Sequence, residues 1–147
     1  MNGVVAYVTT PGKETEKAIV RKGLIQALDA CKDNPNKAFL LTLLRMCGEA
    51  EDAPVFVKYL NDEYLAEWAI SGLTTIKGTE EVLLDLMKKE AAPKTALAHA
   101  AGLKKMTAAE PILLVWLKGA DASTARAIYQ SLAQCGTSLS IPVLGKA

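Results

Sequence analysis

The side chains able to do acid–base chemistry fall in three short runs: Glu49, Glu51 and Asp52; Asp62 and Glu63; Glu80 and Glu81. General acid–base work on a glycosidic or similar bond needs two carboxyls facing each other across a cleft, one of them protonated by burial. Each run instead falls in a connection or a first helical turn of the pattern described below, where negative charge favours a helix N-terminus. They are expected to be structural, and no catalytic residue is assigned. His99 is the single histidine, in a stretch of small residues from Thr95 to Gly102 with no His-Glu or Cys-His pattern beside it. A solvated or packing role is expected, with no metal or cofactor ligand assigned. Cys31, Cys47 and Cys135 are odd in number and none is spaced as in a zinc knuckle. Cys47 and Cys135 close two similar segments just before a glycine, which marks them as small core residues. No phosphate-cradling glycine loop, nucleophile elbow or nucleotide fingerprint occurs.

Binding chemistry is scarcely better provided. Arg45, Lys104, Lys105 and Arg126 are the basic residues on one set of helices, and 17 Lys+Arg against 16 Asp+Glu leave a net charge of +1. Strong electrostatic binding to nucleic acid takes about six or more phosphate contacts, so that partner is not expected. Tyr64 and Trp68 are spaced one turn apart on a single helix face and are candidates for stacking on a sugar, although core packing is the commoner fate of a tryptophan. Trp116, between Val115 and Leu117, is expected in the core.

The elements that must position these residues come from an internal repeat. The 147-residue chain is 50% hydrophobic and 22% charged, too apolar for disorder. It lacks the run of about 20 apolar residues that spans a membrane. Leu44, Leu73, Leu103 and Leu132 recur at intervals of 29, 30 and 29 in similar contexts. Between them lies a second family, Pro54–Leu60, Glu81–Met87 and Pro111–Leu117, with apolar residues at helical spacing. Each repeat therefore reads as an A helix followed by a B helix. The expected helices are 2–9 (B), 13–31 (A), 35–47 (B), 51–60 (A), 63–76 (B), 79–89 (A), 93–106 (B), 108–118 (A), 121–135 (B) and 138–146 (an incomplete A).

The punctuation agrees with this map. All six prolines fall in connections or near helix starts, where the missing N–H costs little. Gly12, Gly48, Gly78, Gly119 and Gly136 follow helices and are expected to be left-handed terminators. Asp52 and Asp121 are placed to cap the next helix, and Thr107 with Glu110 has capping-box spacing. Small residues on the B helices, among them Ala69, Gly72, Ala98, Ala101, Gly102 and Ala127, let neighbours approach closely. The expected fold is all-α, a right-handed α-solenoid of antiparallel helix pairs with B helices on the concave side. It forms one domain over 1–147 of about four to five repeats, at 13–47, 48–76, 77–106 and 107–136 with partial repeats at both ends.

The opening from Gly48 through Ala53-Pro54 to Tyr59-Leu60 resembles short bacterial HEAT repeats, similar to the phycobilin-lyase HEAT-like group and part of the wider armadillo-like superhelices. The likeness is best over 48–136 and weaker over 2–47, where the helix at 13–31 is longer than a HEAT A helix. A narrower resemblance is carried by Asn2–Val8, Pro11–Glu14 and Lys58–Glu63, which look like the helical region of large secreted Bacteroidetes proteins. In those proteins the region adjoins a 3-keto-disaccharide-hydrolase-type, glycoside-hydrolase-like β-sandwich. The resemblance implies a piece of a carbohydrate-processing protein of the periplasm or cell surface, without the catalytic sandwich.

The map opens on a B helix and closes within an A helix, so apolar surface at Val4, Val5, Val8, Ile141, Val143 and Leu144 is expected to be exposed for a neighbour. The function expected is a non-catalytic scaffold or interaction module whose partners are neighbouring domains or another protein, with carbohydrate reached through the parent protein. The candidate contact surface comprises Arg45, Tyr64, Trp68, Thr74, Thr75, Lys104, Lys105, Gln130 and Gln134. The alternative is part of a glycoside-hydrolase-like enzyme, contributing to a sugar site beside a β-sandwich. A freestanding helical bundle with a closed core is the third option.

Overall fold

A computed structural model describes residues 2–146. Every regular element among them is helical: α1 (Asn2–Val8), α2 (Glu14–Ala30), α3 (Asn34–Cys47), α4 (Ala53–Val57), α5 (Ala66–Thr75), α6 (Glu80–Lys89), α7 (Lys94–Leu103), α8 (Glu110–Leu117), α9 (Ala122–Cys135) and α10 (Ile141–Leu144). Short 3₁₀ turns at Ala50–Asp52 and Thr107–Ala109 lead into α4 and α8. Prolines stand in the first turns of α3, α4, α8 and α10, where no backbone donor is lost. The short α4 and α10 depart most from expectation. Past Val57 the chain continues through Tyr59 N–H to Phe56 O (3.0 Å) and Leu60 N–H to Val57 O (3.3 Å), three-residue bonds that tighten the turn. No helix among the described residues is long and apolar enough to cross a membrane.

The chain forms two compact units, Met1–Gly78 and Thr79–Ala147. In the first, α1, α2 and α3 pack on one another, and α5 packs on both α3 and α4. In the second, α6 packs on α7, α8 and α10 pack on α9, and α7 lies along α9 in the most extensive helix–helix contact. Each of the four complete expected A helices, α2, α4, α6 and α8, thus contacts the B helix that follows it. The core of the first unit is built from Leu24, Leu28, Leu41, Leu43, Leu44, Phe56, Leu65 and Leu73, all buried. That of the second is built from Leu83, Met87, Leu97, Leu113, Ile128 and Leu132.

Small residues decide how close the helices come. A Cβ on Gly102 of α7 would stand 2.8 Å from Ser131 Cα of α9, so these helices meet almost backbone to backbone. Gly72 of α5 lies under the Phe56 ring of α4, which would overlap any side chain there.

Several sequence expectations are corrected. Leu103 is 52% exposed, whereas Leu44, Leu73 and Leu132 are buried. The cause is one extra residue at the end of α7. Lys105 adopts a left-handed conformation (φ 53°), with Lys105 N–H bonded to Gly102 O and Met106 N–H to Ala101 O. Gly102 therefore holds the place that leucine holds in the other B helices. Of the expected left-handed glycines only Gly12 (φ 83°) and Gly78 (φ 77°) are so. Gly48 and Gly136 are extended, and a side chain is excluded by the Leu44 carbonyl and Ile76 side chain at the first and by the Ser140 hydroxyl and Leu132 carbonyl at the second. Asp121 caps α9 through Thr124 N–H (2.7 Å) as expected. Asp52 does not cap α4, because its carboxylate turns back to Glu49 N–H (2.9 Å) and to Arg21. Thr107 and Glu110 form no capping box, since Glu110 is engaged 27 residues away by Thr137. Val5 and Val8 are buried by the packing of α1 on α2 and α3, while Val4 and Ile141 are exposed and Val143 and Leu144 half-buried.

Two glycines separate space from propensity. Gly23, inside α2, has nothing within 4 Å of the point where a Cβ would stand, so Gly23→Ala is expected to stabilise the chain by about 0.5–1 kcal/mol. Gly102→Val is expected to cost about 2–3 kcal/mol, because the α9 backbone must retreat. Urea unfolding of the two variants should move in opposite directions, and equal shifts would refute the close approach.

Candidate functional site

Most acids of the three runs are taken up by the fold. Arg21 of α2 reaches the 3₁₀ turn before α4, donating from Nε to Asp52 Oδ2 (2.7 Å) and from Nη2 to Asp52 Oδ1 (2.8 Å) and Glu51 Oε1 (2.5 Å). Lys17, one turn earlier, pairs with Glu49. The Arg21 and Asp52 side chains are only 11% and 6% exposed, so this fork is a sheltered clamp between α2 and the α3–α4 connection. Hydrogen bonding to Asp52 pushes the Arg21 guanidinium further up from its already high range. Asp62 accepts from Tyr64 N–H and Leu65 N–H (both 2.9 Å) and closes the turn into α5. Glu80 takes the Lys104 ammonium at 3.0 Å. Glu110 is buried and accepts from the Thr137 hydroxyl (2.7 Å) and amide (2.8 Å), tying the loop after α9 to the start of α8. Among the described residues, every buried side-chain nitrogen and oxygen has a hydrogen-bond partner.

The candidate contact residues divide between the two units. In the first, Arg45 of α3 donates from Nη1 to Ser71 Oγ of α5 (2.8 Å), a cross-link between neighbouring helices. Thr74 and Thr75 turn their hydroxyls onto the carbonyls of Ile70 and Ser71 in their own helix. Tyr64 and Trp68 stack on each other, ring centroids 5.5 Å apart and planes 13° apart, with Tyr64 45% exposed.

In the second unit, Lys104 and Lys105 border a hollow of about 240 Å³ with Glu80, Glu81, Leu84 and Met106. The Lys104 side chain is only 7% exposed there. Gln130 and Gln134, one turn apart on α9, line an open groove of about 430 Å³ with His99 of α7. Its floor is Gly102 and Ser131, the pair whose close approach joins the two helices. The sequence marks His99 only as a solvated or packing residue. Its membership of this groove depends on the α7–α9 contact, which no local pattern reveals.

A third hollow, of about 280 Å³, has no sequence signal beyond its tryptophan. Trp116 is buried as expected, and the Lys94 ammonium lies 5.4 Å from its ring centroid and 3.0 Å from Glu90 Oε1. Asp121 and Thr124 complete the wall. Cys47 and Cys135 are buried as expected, and burial pushes both thiols above their ordinary range. Among the described residues, no group of three or more His, Cys, Asp or Glu side chains is arranged to hold a metal ion. No protein-family model, curated protein or solved structure matches the chain.

The clamp and the buried glutamate each make an expectation. Arg21→Ala leaves the sheltered Asp52 carboxylate without its cation, and should cost roughly 3 kcal/mol in urea unfolding. Lys89→Ala, which removes an exposed pair with Asp85, should cost under about 0.5 kcal/mol. Comparable losses would contradict the assignment of the clamp.

Folding lowers the Glu110 carboxyl below its ordinary range, first through the Thr137 hydroxyl and then through its amide. The unfolded chain therefore binds the extra proton, and this contribution is complete above the unfolded value of about 4.3. It fades as the pH falls through the folded value. Glu110→Gln should lower the melting temperature at neutral pH yet flatten its decline in acid, and parallel profiles would exclude this role.

Proposed function

We propose that the chain is a non-catalytic helical-repeat scaffold, a solenoid whose B helices present polar side chains to a partner. The observation that carries this is the groove on α7 and α9. Two helices held together through Gly102 and Ser131 leave His99, Gln130 and Gln134 along an open channel instead of closing over it. The groove has donors and acceptors but no Asp, Glu, Lys or Arg among its lining residues, a composition suited to holding a neutral polar surface. The pairing of α2, α4, α6 and α8 with the helix that follows each supports the repeat reading. The engagement of Glu49, Glu51, Asp52, Glu80 and Glu110 in ion pairs and hydrogen bonds supports a structural rather than a catalytic use of the acids. Service to a carbohydrate-processing parent protein at the cell envelope belongs to the same proposal and rests on the resemblance in Asn2–Val8 and Lys58–Glu63.

Two measurements on the full chain test it. Small-angle scattering is expected to give an elongated, asymmetric distance distribution, and incubation with cello- and chito-oligosaccharides is expected to leave them intact. A spherical particle would overturn the solenoid. Hydrolysis that disappears on substituting a carboxylate would overturn the scaffold.

A further inference from the structure

The groove of about 430 Å³ on α7 and α9 gathers two side-chain amides, Gln130 and Gln134, on one wall, with His99 of α7 also in the lining. The rest of its lining is Gly102, Ser131 and Ala133, all small, so a main chain can lie close to the two helices. Arg45, Thr74 and Thr75 of the first unit spend their hydrogen bonds on the fold. Among the described residues, the side chains of His99, Gln130 and Gln134 form no hydrogen bond or ion pair. The spacing of the two amides then has a consequence. Four residues of an α-helix advance about 6.0 Å. Two residues of an extended chain advance about 6.6 Å, and the N–H and C=O groups on one edge of such a chain recur at that interval. A primary amide carries donor and acceptor side by side, so each glutamine complements the N–H and C=O of one residue. The mismatch of about 0.6 Å is small against the reach of a glutamine side chain.

We propose that this groove binds an extended segment of a partner protein by its main chain, with Gln130 and Gln134 pairing to alternate residues and His99 adding a ring N–H. The lining has no charged side chain, so recognition falls on the neutral peptide groups and not on acidic or basic side chains of the partner. An edge of peptide groups is the occupant that uses both glutamines in register. The inference rests on the interaction-module reading and names the chemistry of one partner.

The test uses the full chain and the capped peptide acetyl-Thr-Val-Thr-Val-amide, whose β-branched residues favour an extended chain. Comparators are the same peptide N-methylated at all four residues, and cellotetraose. The readout is the pair of side-chain amide NMR signals of Gln130 and Gln134, assigned by their loss in Gln130→Met and Gln134→Met. Both positions are exposed, so neither variant puts folding at stake. The unmethylated peptide is expected to shift both signals, with an affinity that does not change as salt rises from about 0.05 to about 0.5 M. Each methionine variant, which keeps the length of the side chain and removes its amide, should lose about fivefold in affinity. Equal binding of the N-methylated peptide, unchanged affinity in both variants, no peptide binding at all, or a shift by cellotetraose alone would overturn the proposal. Any of these would leave intact a chain that scatters as an elongated particle and hydrolyses nothing, so the two readings fail separately.

Discussion

The close approach of helices at glycine is the constraint on which the rest of the structure depends. In the second unit, Gly102 admits the α9 backbone at Ser131 and lets α7 and α9 share their longest contact. In the first, Gly72 admits the Phe56 ring and brings α4 onto α5. With so few aromatic residues, the chain cannot fill wide gaps between helices with large side chains. It narrows the gaps instead, which keeps packing dense. The groove at His99, Gln130 and Gln134 follows directly, because helices this close leave only their outward side chains to form a surface.

Polar chemistry is arranged around that packing. Sheltered acids are tied to groups distant in sequence: Asp52 to Arg21, 31 positions earlier, and Glu110 to Thr137, 27 positions later. Such bonds tie the connection that leaves a helix pair back to the first helix of that same pair. They also explain why carboxylates that cluster in sequence do not converge on a cleft.

The helices were legible because their signals are local. Pro35, Pro54 and Pro111 mark first turns, Asp121 caps α9, and the apolar spacing of α6 runs unbroken through Val82, Leu83, Leu86 and Met87. The contact residues were legible in part. Gln130 and Gln134 do line a groove and Tyr64 does meet Trp68, but Thr74 and Thr75 spend their hydroxyls on their own helix. Leu103 failed because spacing counts residues and cannot count the extra left-handed residue, Lys105, that ends α7. Glu110 failed because capping-box spacing describes a neighbour three residues away, and its partner lies in the next connection.

The sequence by itself determined that this chain is helical, where most of its helices begin and end, and which faces are apolar. Those properties follow from backbone sterics, capping and periodicity, all of which act within a few residues. Only tertiary structure decided that Gly102 replaces a leucine in the core, that Arg21 grips Asp52, and that His99 joins two glutamines along a groove. Each of these depends on the distance between elements that lie about 30 residues apart in sequence. That distance is set by the volumes of the side chains on both, which no single stretch of sequence contains.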